Sequence, residues 1–237
     1  MSICDLARLL SQNSYPGRGI VLGLDKEGGA VIAYFIMGRS DNSRNRVFTQ
    51  KDAGIVTEAA DPSKMRDPSL IIYTPVRVVE DDTIITNGDQ TDTVYDHIVD
   101  GRSFEDALRA RTFEPDAPNF TPRISGIMSR RQSGFCYKLS ILKTDGGNPE
   151  SAQRFFYEYP EPIKGQGHFI HTYASDGDPL PSFCGEPVAI DLDGNIEELG
   201  ESLWYNLNSD NKVSLFVRTI SPDGQTQTLI YNKNEKV

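Results

Sequence analysis

Three short polar segments of this 237-residue chain combine residue types that bind or transform small anionic molecules. The first, residues 38–46, follows an apolar run and contains Arg39, Arg44 and Arg46. A guanidinium group suits a phosphate or carboxylate because its planar fork donates two parallel hydrogen bonds and keeps its charge. The alternative is a solvated loop whose arginines pair with surface acids.

The second segment, residues 86–93 (TNGDQTDT), lies between a predicted strand and a predicted helix. Asn87-Gly88 readily adopts a positive φ, and a glycine-containing turn before a helix presents backbone N–H groups that can bind an anion. The same residues could instead form a plain hairpin turn or a helix cap, with Asp89 or Thr91 as the capping residue.

The third segment, residues 113–124, leaves another predicted helix and carries two carboxylates, an amide, a hydroxyl and a guanidinium: Glu114, Asp116, Asn119, Thr121 and Arg123. A loop of this composition can supply a general acid or base beside a hydrogen-bonding surface. Its alternative is an ordinary turn in which Arg123 forms a salt bridge.

The charge balance restricts what these segments can bind. The chain has 24 Lys and Arg against 34 Asp and Glu, a net charge of −10. Nucleic-acid binding requires a basic field that releases phosphate counterions, so nucleic acid is excluded as the main partner. A single phosphorylated metabolite remains, bound in a locally positive pocket formed by arginines of the motifs: Arg39, Arg44, Arg46, Arg77 and Arg123.

Several other signals do not predict a site. His168 and His171 lie three apart in a strand-like stretch, so their side chains point to opposite faces and no metal is expected. Residues 191–195 lack the glycine and glutamate spacing of a calcium loop. Cys4, Cys136 and Cys184 suggest neither disulfides nor zinc. No apolar run approaches the roughly 18 to 20 residues of a membrane helix, and no signal peptide is recognisable, so a cytoplasmic protein without membrane contact is expected.

The elements that must position these residues are mostly strands. Apolar, β-branched or aromatic runs bounded by turn residues predict strands at residues 19–24, 30–37, 70–79, 83–86, 135–142, 154–159, 213–220 and 227–231. Helix patterns fall at residues 4–10, 91–99, 103–111 and 196–207. The third begins with Ser103 followed by Asp106, which has nearly the form of a capping box. Short turns between successive strands imply antiparallel pairing, so the sequence predicts an α+β fold in a single domain over residues 1–237.

Taken together, the three segments resemble the archaeal-type IMP cyclohydrolase family. The resemblance covers about residues 18–127 and depends on these blocks: Ala33-Tyr34, Gly38-Arg39-Ser40, Asn45-Arg46, Tyr73 with Arg77, Asn87-Gly88 with Thr91-Asp92-Thr93, Phe113-Glu114 with Asp116, and Thr121-Pro122-Arg123-Ile124. A weaker similarity continues at Thr172-Tyr173. The sequence departs from the family pattern at Asp89-Gln90, where a serine and a histidine are expected, and at Thr74-Pro75.

This resemblance implies a four-layer αββα sandwich like that of the Ntn hydrolases, with two antiparallel sheets between helices but no N-terminal nucleophile. It also implies the last reaction of IMP synthesis, in which 5-formamidoimidazole-4-carboxamide ribotide (FAICAR), a purine-ribonucleotide precursor, closes to IMP with loss of water. An amide nitrogen is a poor nucleophile, so the enzyme must position it, stabilise an oxyanion and transfer protons. Neither the attack on the formyl carbon nor the loss of water requires a metal or an organic cofactor.

The resemblance also assigns roles. Glu114 is the first candidate for proton transfer and Asp116 the second, while Tyr73 and Arg46 would donate to the formyl oxygen. The phosphate and ribose would be bound by Arg39, Ser40, Arg123 and the backbone of Asn87 and Gly88. The base or sugar would be positioned by Asn45, Asp92, Thr93 and Thr121.

Two other functions stay open at this point. Removal of Met1 would make Ser2 the N-terminal nucleophile of an Ntn-type amidohydrolase, although Ser2 precedes a helix-like segment instead of opening a strand. A non-catalytic purine-nucleotide-binding protein would retain the pocket without the reaction. The sequence leaves the oligomeric state open, with a homo-oligomer allowed.

Overall fold

Two antiparallel sheets account for all thirteen strands of residues 3–236, the part of the chain that the structure, a computed structural model, describes. Ser2 lies outside these residues. The seven-stranded sheet contains, in spatial and chain order, β3 (Arg46–Lys51), β4 (Gly54–Ala59), β5 (Val76–Val79), β6 (Asp82–Thr86), β7 (Arg123–Arg131), β8 (Gly134–Asp145) and β9 (Asn148–Tyr159).

The six-stranded sheet combines the first two strands of the chain with the last four. They are β1 (Arg18–Leu24), β2 (Ala30–Met37), β10 (Gln166–His171), β11 (Val188–Asp191), β12 (Lys212–Ile220) and β13 (Thr226–Asn232), and their spatial order is β11-β10-β1-β2-β12-β13. The helices are α1 (Leu6–Gln12), α2 (Asp41–Arg44), α3 (Gln90–Val99), α4 (Phe104–Arg109) and α5 (Ile196–Asn206), with a 3₁₀ turn at Pro62–Lys64.

The apolar sequence of β2 follows from its position, because all eight of its residues are buried. Successive side chains of a strand point to opposite faces. Ile32 and Ile36 accordingly pack into a core cluster shared by the two sheets, which includes Ile85 and Leu139 of the other sheet. The intervening residues, such as Phe35, pack into a second cluster with residues of α1 and α5.

A third core cluster lies on the seven-stranded sheet. Ile84 and Ile127 of that sheet pack there against Val94 of α3 and Leu108 of α4. The protein is therefore α+β, with two antiparallel sheets that share one core cluster and helices packed against each sheet. None of the helices described is long and apolar enough to cross a membrane.

Most predicted elements are present, and the main correction concerns residues 70–79. Only Val76–Val79 forms a strand. Thr57 of β4 binds the backbone of Tyr73, donating from Oγ1 to the carbonyl oxygen at 2.8 Å and accepting from the N–H at 2.7 Å. Pro75 lacks the N–H needed for a regular ladder. Residues 70–75 therefore form an irregular segment that ends beside β4.

The sequence analysis also missed four strands, β3, β4, β7 and β11, whereas the strand-like stretch around His168 and His171 is β10. At α4 it was correct, because the Ser103 side chain accepts a hydrogen bond from the N–H of Asp106. Neither proposed cap of α3 forms. Asp89 occupies the N-cap position without a capping bond from its side chain, and the Thr91 hydroxyl instead donates to the Gly88 carbonyl oxygen at 3.0 Å.

Candidate active site

A cavity of about 330 Å³ collects residues of the first and third motifs. Its lining includes Tyr15, Arg18, Arg39, Ser40, Glu114, Asp116, Asn119, Thr121 and Tyr173. Three larger hollows, of about 770, 990 and 560 Å³, lie around Asp193, Lys64 and Arg131 respectively, and none of them contains Glu114. The smaller cavity is the candidate site because it joins a buried carboxyl group to a buried guanidinium, and its size falls at the lower end of the range for small-molecule sites.

Glu114 is the titratable group best suited to proton transfer in this cavity. Its side chain is 2% exposed, and its backbone N–H donates to the carbonyl oxygen of Thr121 at 2.9 Å. Burial raises the pKa of Glu114 to about 7, although the charges of Arg18, Arg123 and Arg46 oppose this rise. A carboxyl group with this pKa exchanges a proton readily near neutral pH.

Asp116 has a different environment, because both of its oxygens accept hydrogen bonds from Thr121. The Thr121 N–H lies 2.6 Å from Oδ1, and the Thr121 hydroxyl lies 2.5 Å from Oδ2. Since that hydroxyl donates to Asp116, it accepts from the Tyr173 hydroxyl, also at 2.5 Å. Asp116 and Thr121 therefore fix the loop that follows Glu114.

Arg46 lies behind the cavity wall. It is fully buried, and its guanidinium donates to the carbonyl oxygens of Ser43 (Nε, 2.7 Å) and Met37 (Nη2, 3.2 Å), two residues that line the cavity. Its Nη1 is buried without a hydrogen-bond partner in the described part of the chain. Arg46 thus shapes the wall and retains one uncommitted donor.

Tyr73 is paired with Tyr34, with 2.6 Å between their hydroxyl oxygens. Tyr34 is fully buried, and this is its side-chain hydrogen bond. Either hydroxyl can be the donor in this bond, and the proton of the other hydroxyl remains for another acceptor. Burial raises the pKa of Tyr73, which keeps the hydroxyl protonated despite the opposing charges of Arg46 and Arg18.

The Asn-Gly segment is joined to the TPRI segment through the Asn87 side chain. Asn87 is fully buried, and its Nδ2 donates to the Pro122 carbonyl oxygen at 2.8 Å. Its Oδ1 accepts from the Ile124 N–H and from Gln90 Nε2, both at 2.9 Å. The side chain of Asn87 therefore fixes the relative position of two motifs, and its amide is already engaged.

Gly88 lies where the buried polar groups of both segments meet. A Cβ atom at this position would approach Arg123 Nη1 to 2.6 Å, Gln90 Oε1 to 2.8 Å and Glu114 Oε1 to 3.4 Å. Even an alanine side chain here would require the ends of the Arg123 and Gln90 side chains to move.

Arg123 is bound by the two residues at which the sequence departs from the family pattern. Its Nη1 donates to Gln90 Oε1 at 2.6 Å and lies 2.7 Å from Asp89 Oδ1. Asp89 also pairs with Arg111, which the sequence reading did not single out. Asp89 and Gln90 therefore hold the Arg123 guanidinium next to Gly88, where the Glu114 carboxyl group also lies.

Arg39 and Ser40 lie on a more exposed part of the lining. Arg39 Nη1 donates to Asp176 Oδ1 and to the Gly177 carbonyl oxygen, both at 2.8 Å, and its guanidinium lies 5.1 Å from the centre of the Tyr15 ring. Ser40 caps α2 by accepting from the Ser43 N–H.

Six predicted substrate-binding residues do not line this cavity, namely Asn45, Asn87, Gly88, Asp92, Thr93 and Arg123, and the predicted catalytic residues Tyr73 and Arg46 lie outside the lining as well. Asn45 makes two 2.8 Å hydrogen bonds with the backbone of Asp61. Asp92 pairs with Arg77 at 2.8 Å on an exposed face of α3. Thr93 accepts from His97 Nδ1 at its carbonyl oxygen. The structure therefore gathers Glu114, Asp116, Thr121, Arg39 and Ser40 but places Asn45, Asp92 and Thr93 elsewhere.

Arg18 is the main lining residue that the sequence reading missed. It is 8% exposed, lines the cavity and has a buried Nε without a hydrogen-bond partner among residues 3–236. The available signal was an arginine at the start of an otherwise apolar strand, RGIVLGL. No three His, Cys, Asp or Glu side chains within the same residues are placed to share a metal ion.

Known proteins share sequence with this chain over most of its length. A family model described as "IMP cyclohydrolase-like protein" matches residues 15–225. The chain belongs to this family. The match spans every residue of the cavity lining, from Tyr15 to Leu180.

Archaeal members of the IMP cyclohydrolase-like family are similar in sequence. A protein of Methanosphaera stadtmanae named IMP cyclohydrolase is 32% identical over 164 residues, which cover 67% of this chain and 73% of the relative. Those of Methanopyrus kandleri (28% over 163 residues; 67% and 75% covered) and Methanococcus aeolicus (26% over 180 residues; 61% and 88% covered) carry the same name.

Proposed function

We propose that this protein is an IMP cyclohydrolase that closes FAICAR to IMP with loss of water. The observation that carries the proposal is the buried Glu114 carboxyl group, with a pKa of about 7, in a cavity built from the family's motifs and lined by Arg18. Family membership supports the same reaction.

The proposed fold is a single domain with the four-layer αββα arrangement of the Ntn hydrolases. Three core clusters support this arrangement: one shared by the two sheets, one between the six-stranded sheet and α1 and α5, and one between the seven-stranded sheet and α3 and α4. The nucleophile is the substrate's own amide nitrogen, so the reaction requires no nucleophilic side chain.

Proton transfer is assigned to Glu114. The carboxamide nitrogen attacks the formyl carbon, the carbonyl electron pair moves to oxygen, and the nitrogen's proton passes to the Glu114 carboxylate. The same carboxyl group returns that proton to the oxyanion, which gives the carbinolamine hydroxyl. Glu114 then takes the remaining proton of the formamido nitrogen and donates it to this hydroxyl, which leaves as water while the C=N bond of the new ring forms. A pKa near neutrality serves both directions of transfer. Asp116 is less suited because Thr121 occupies both of its oxygens.

Tyr73 and Arg46 are the proposed donors to the formyl oxygen. In this proposal Tyr34 donates to the Tyr73 oxygen, which leaves the Tyr73 proton for the formyl oxygen. Arg46 has one uncommitted nitrogen, Nη1. Fixed donors in a buried site stabilise a developing oxyanion without reorganising.

Substrate binding is assigned to the remaining motif residues. Arg39 and Ser40, at the exposed part of the lining, bind the phosphate. Arg123 and the backbone of Asn87 and Gly88, which lie outside the lining, are assigned to phosphate and ribose, and Thr121 is assigned to base or sugar. Asn45, Asp92 and Thr93 remain predicted contacts, although they lie outside the cavity lining.

A direct assay tests the function. Purified protein is incubated with FAICAR in chelator-treated buffer, and IMP formation is followed by its ultraviolet absorbance. Steady formation of IMP is expected. Thermal stabilisation by IMP without turnover would instead favour a non-catalytic nucleotide-binding protein. Labelling of Ser2 by an electrophile, detected by intact mass, would favour the amidohydrolase.

A further inference from the structure

Arg18 stands at the first position of β1, in the lining of the cavity. Thr172 binds its backbone on both sides, since the Arg18 N–H donates to Thr172 Oγ1 at 3.1 Å and its carbonyl oxygen accepts from the Thr172 N–H at 3.0 Å. The backbone that carries the guanidinium is therefore fixed, although the guanidinium Nε is buried without a hydrogen-bond partner among the described residues.

The other buried arginines differ in this respect. Arg46 donates to two carbonyl oxygens, Arg123 binds Asp89 and Gln90, and Arg218 donates to Thr228 Oγ1 at 3.0 Å and to the Ala53 carbonyl oxygen at 2.8 Å. A buried cation without a partner is costly, so its presence requires a compensating function. An anionic oxygen of a ligand would supply the missing acceptor for Arg18 Nε.

The surroundings of Arg18 are those of the reacting centre. Burial lowers the pKa of Arg18, but the nearby Glu114 carboxyl group and the hydroxyls of Tyr173, Tyr73 and Tyr15 raise it above its ordinary value, so the guanidinium stays charged. These neighbours include the proposed proton-transfer group, Glu114, and the proposed donor to the formyl oxygen, Tyr73.

We propose that Arg18 is a further catalytic residue, whose Nε–H donates to the oxygen that becomes negative when the formyl carbon is attacked. The inference rests on the proposed cyclohydrolase function. As the new C–N bond forms, the carbonyl π pair moves onto oxygen, and Arg18 stabilises that charge by a hydrogen bond without giving up a proton. The carboxamide proton moves to Glu114, which returns it to the oxyanion; the proton of the formamido nitrogen then follows the same route to the hydroxyl, which departs as water.

The test compares Arg18→Lys and Arg18→Gln with the matched control Arg218→Lys, a buried arginine whose acceptors are neutral. Wild-type enzyme is assayed first, so that absence of IMP formation identifies a failure of the proposed function itself. Given wild-type turnover, both Arg18 variants should lose about 100-fold or more in kcat, with KM within about threefold of wild type. Arg218→Lys should retain kcat within about twofold.

A pH profile adds a readout that a structural role would not change. The Arg18 charge lowers the pKa of Glu114, as do the charges of Arg123 and Arg46, whereas burial and Asp116 raise it. Arg18→Gln should therefore move the acid limb of the kcat profile to higher pH, and Arg18→Lys, which keeps the charge, should leave it in place.

Three results would overturn the proposal. The first is a kcat of Arg18→Gln within about threefold of wild type. The second is an equal loss of kcat in Arg18→Lys and Arg218→Lys. The third is an increase in KM with unchanged kcat in the Arg18 variants. The last would place Arg18 on the ligand's phosphate, because uniform binding changes KM alone. Thermal stabilisation by IMP reports folding in each variant, and it should persist in the Arg18 variants if the guanidinium contacts only the reacting oxygen.

Discussion

The hydroxyl oxygen of Tyr34, on β2 of the six-stranded sheet, lies 2.6 Å from that of Tyr73, in the irregular segment that precedes β5 of the other sheet. This bond connects the two sheets beside the cavity and determines which hydroxyl proton remains available. Tyr34 packs against Phe48, with 5.6 Å between ring centres, so its ring is fixed by the core.

Tyr34→Phe should lower kcat about tenfold, because Tyr73 then loses the donor that orients its hydroxyl, an effect of about 1 kcal/mol for one hydrogen bond. Steady-state IMP formation measures it. Tyr137→Phe is the matched control, since Tyr137 is also buried and its hydroxyl lies 2.8 Å from His168 Nδ1, outside the cavity lining. Equal kcat in wild type and Tyr34→Phe would remove the orienting role.

Glu114→Gln should abolish most activity, by about 10² to 10⁴-fold, because the amide cannot exchange the proton. It should also stabilise the fold at alkaline pH. Burial raises the pKa of Glu114 from 4.5 to about 7, so between these values the folded state binds more protons than the unfolded state and stability falls as pH rises.

The stability change of Glu114→Gln therefore depends on pH. The gain should approach about 3 kcal/mol at pH 8 and be near zero at pH 4, where the carboxyl group is protonated in both states. Urea denaturation at the two pH values measures it. The same gain at both values would show that the raised pKa of Glu114 is wrong.

Asp116→Asn should behave in the opposite way. An amide cannot accept hydrogen bonds at both ends, so one Thr121 donor loses its acceptor and the fold should lose about 1 to 3 kcal/mol. The decisive observation is thermal or urea denaturation of this variant beside Glu114→Gln at pH 8. Stabilisation of both variants would contradict the different roles of the two carboxyl groups.

Gly88→Ala should reduce kcat at least tenfold with a modest loss of stability. The added Cβ, 2.6 Å from Arg123 Nη1, forces the guanidinium away from Gly88 and changes its distance to Glu114. Kinetics together with the acid limb of the pH profile measure the effect, because displacement of a positive charge should raise the pKa of Glu114. Unchanged kinetics would exclude Arg123 from the site.

Arg39→Gln should raise KM about tenfold with little change in kcat, since a residue that binds the phosphate contributes equally to ground and transition states. Asp92→Asn is the matched comparison, because the sequence analysis assigned both Arg39 and Asp92 to substrate binding. Because Asp92 pairs with Arg77 away from the cavity, its variant should stay within about twofold of wild type in both constants. An increased KM in Asp92→Asn would restore it as a ligand contact.

The sequence was most informative where local pattern and burial agree. The apolar run of β2 and the Ser103 cap of α4 depend on neighbouring residues alone, and both were predicted. The 70–75 segment was wrongly extended as a strand because its course depends on Thr57, which binds the backbone of Tyr73 from another strand. No local pattern contains that contact.

The site shows the same limit. Motif membership grouped Glu114, Arg123 and Asn87, and their contacts bring the segments together. It could not separate Glu114 from Asp116, because the difference lies in the two Thr121 hydrogen bonds. It also missed Arg18, a single charged residue whose importance depends on burial and on its unpartnered Nε.

The strand order has a consequence for how the chain acquires its structure. In the seven-stranded sheet every strand pairs with its successor, so a growing chain can build this sheet hairpin by hairpin through Tyr159. The six-stranded sheet cannot close in this way, because β1 awaits β10 and β2 awaits β12 from the final third of the chain. Non-local pairing of this kind is slow. Arg18 and Tyr34 belong to the late sheet, so ring-closing activity during synthesis or refolding would report completion of the whole molecule.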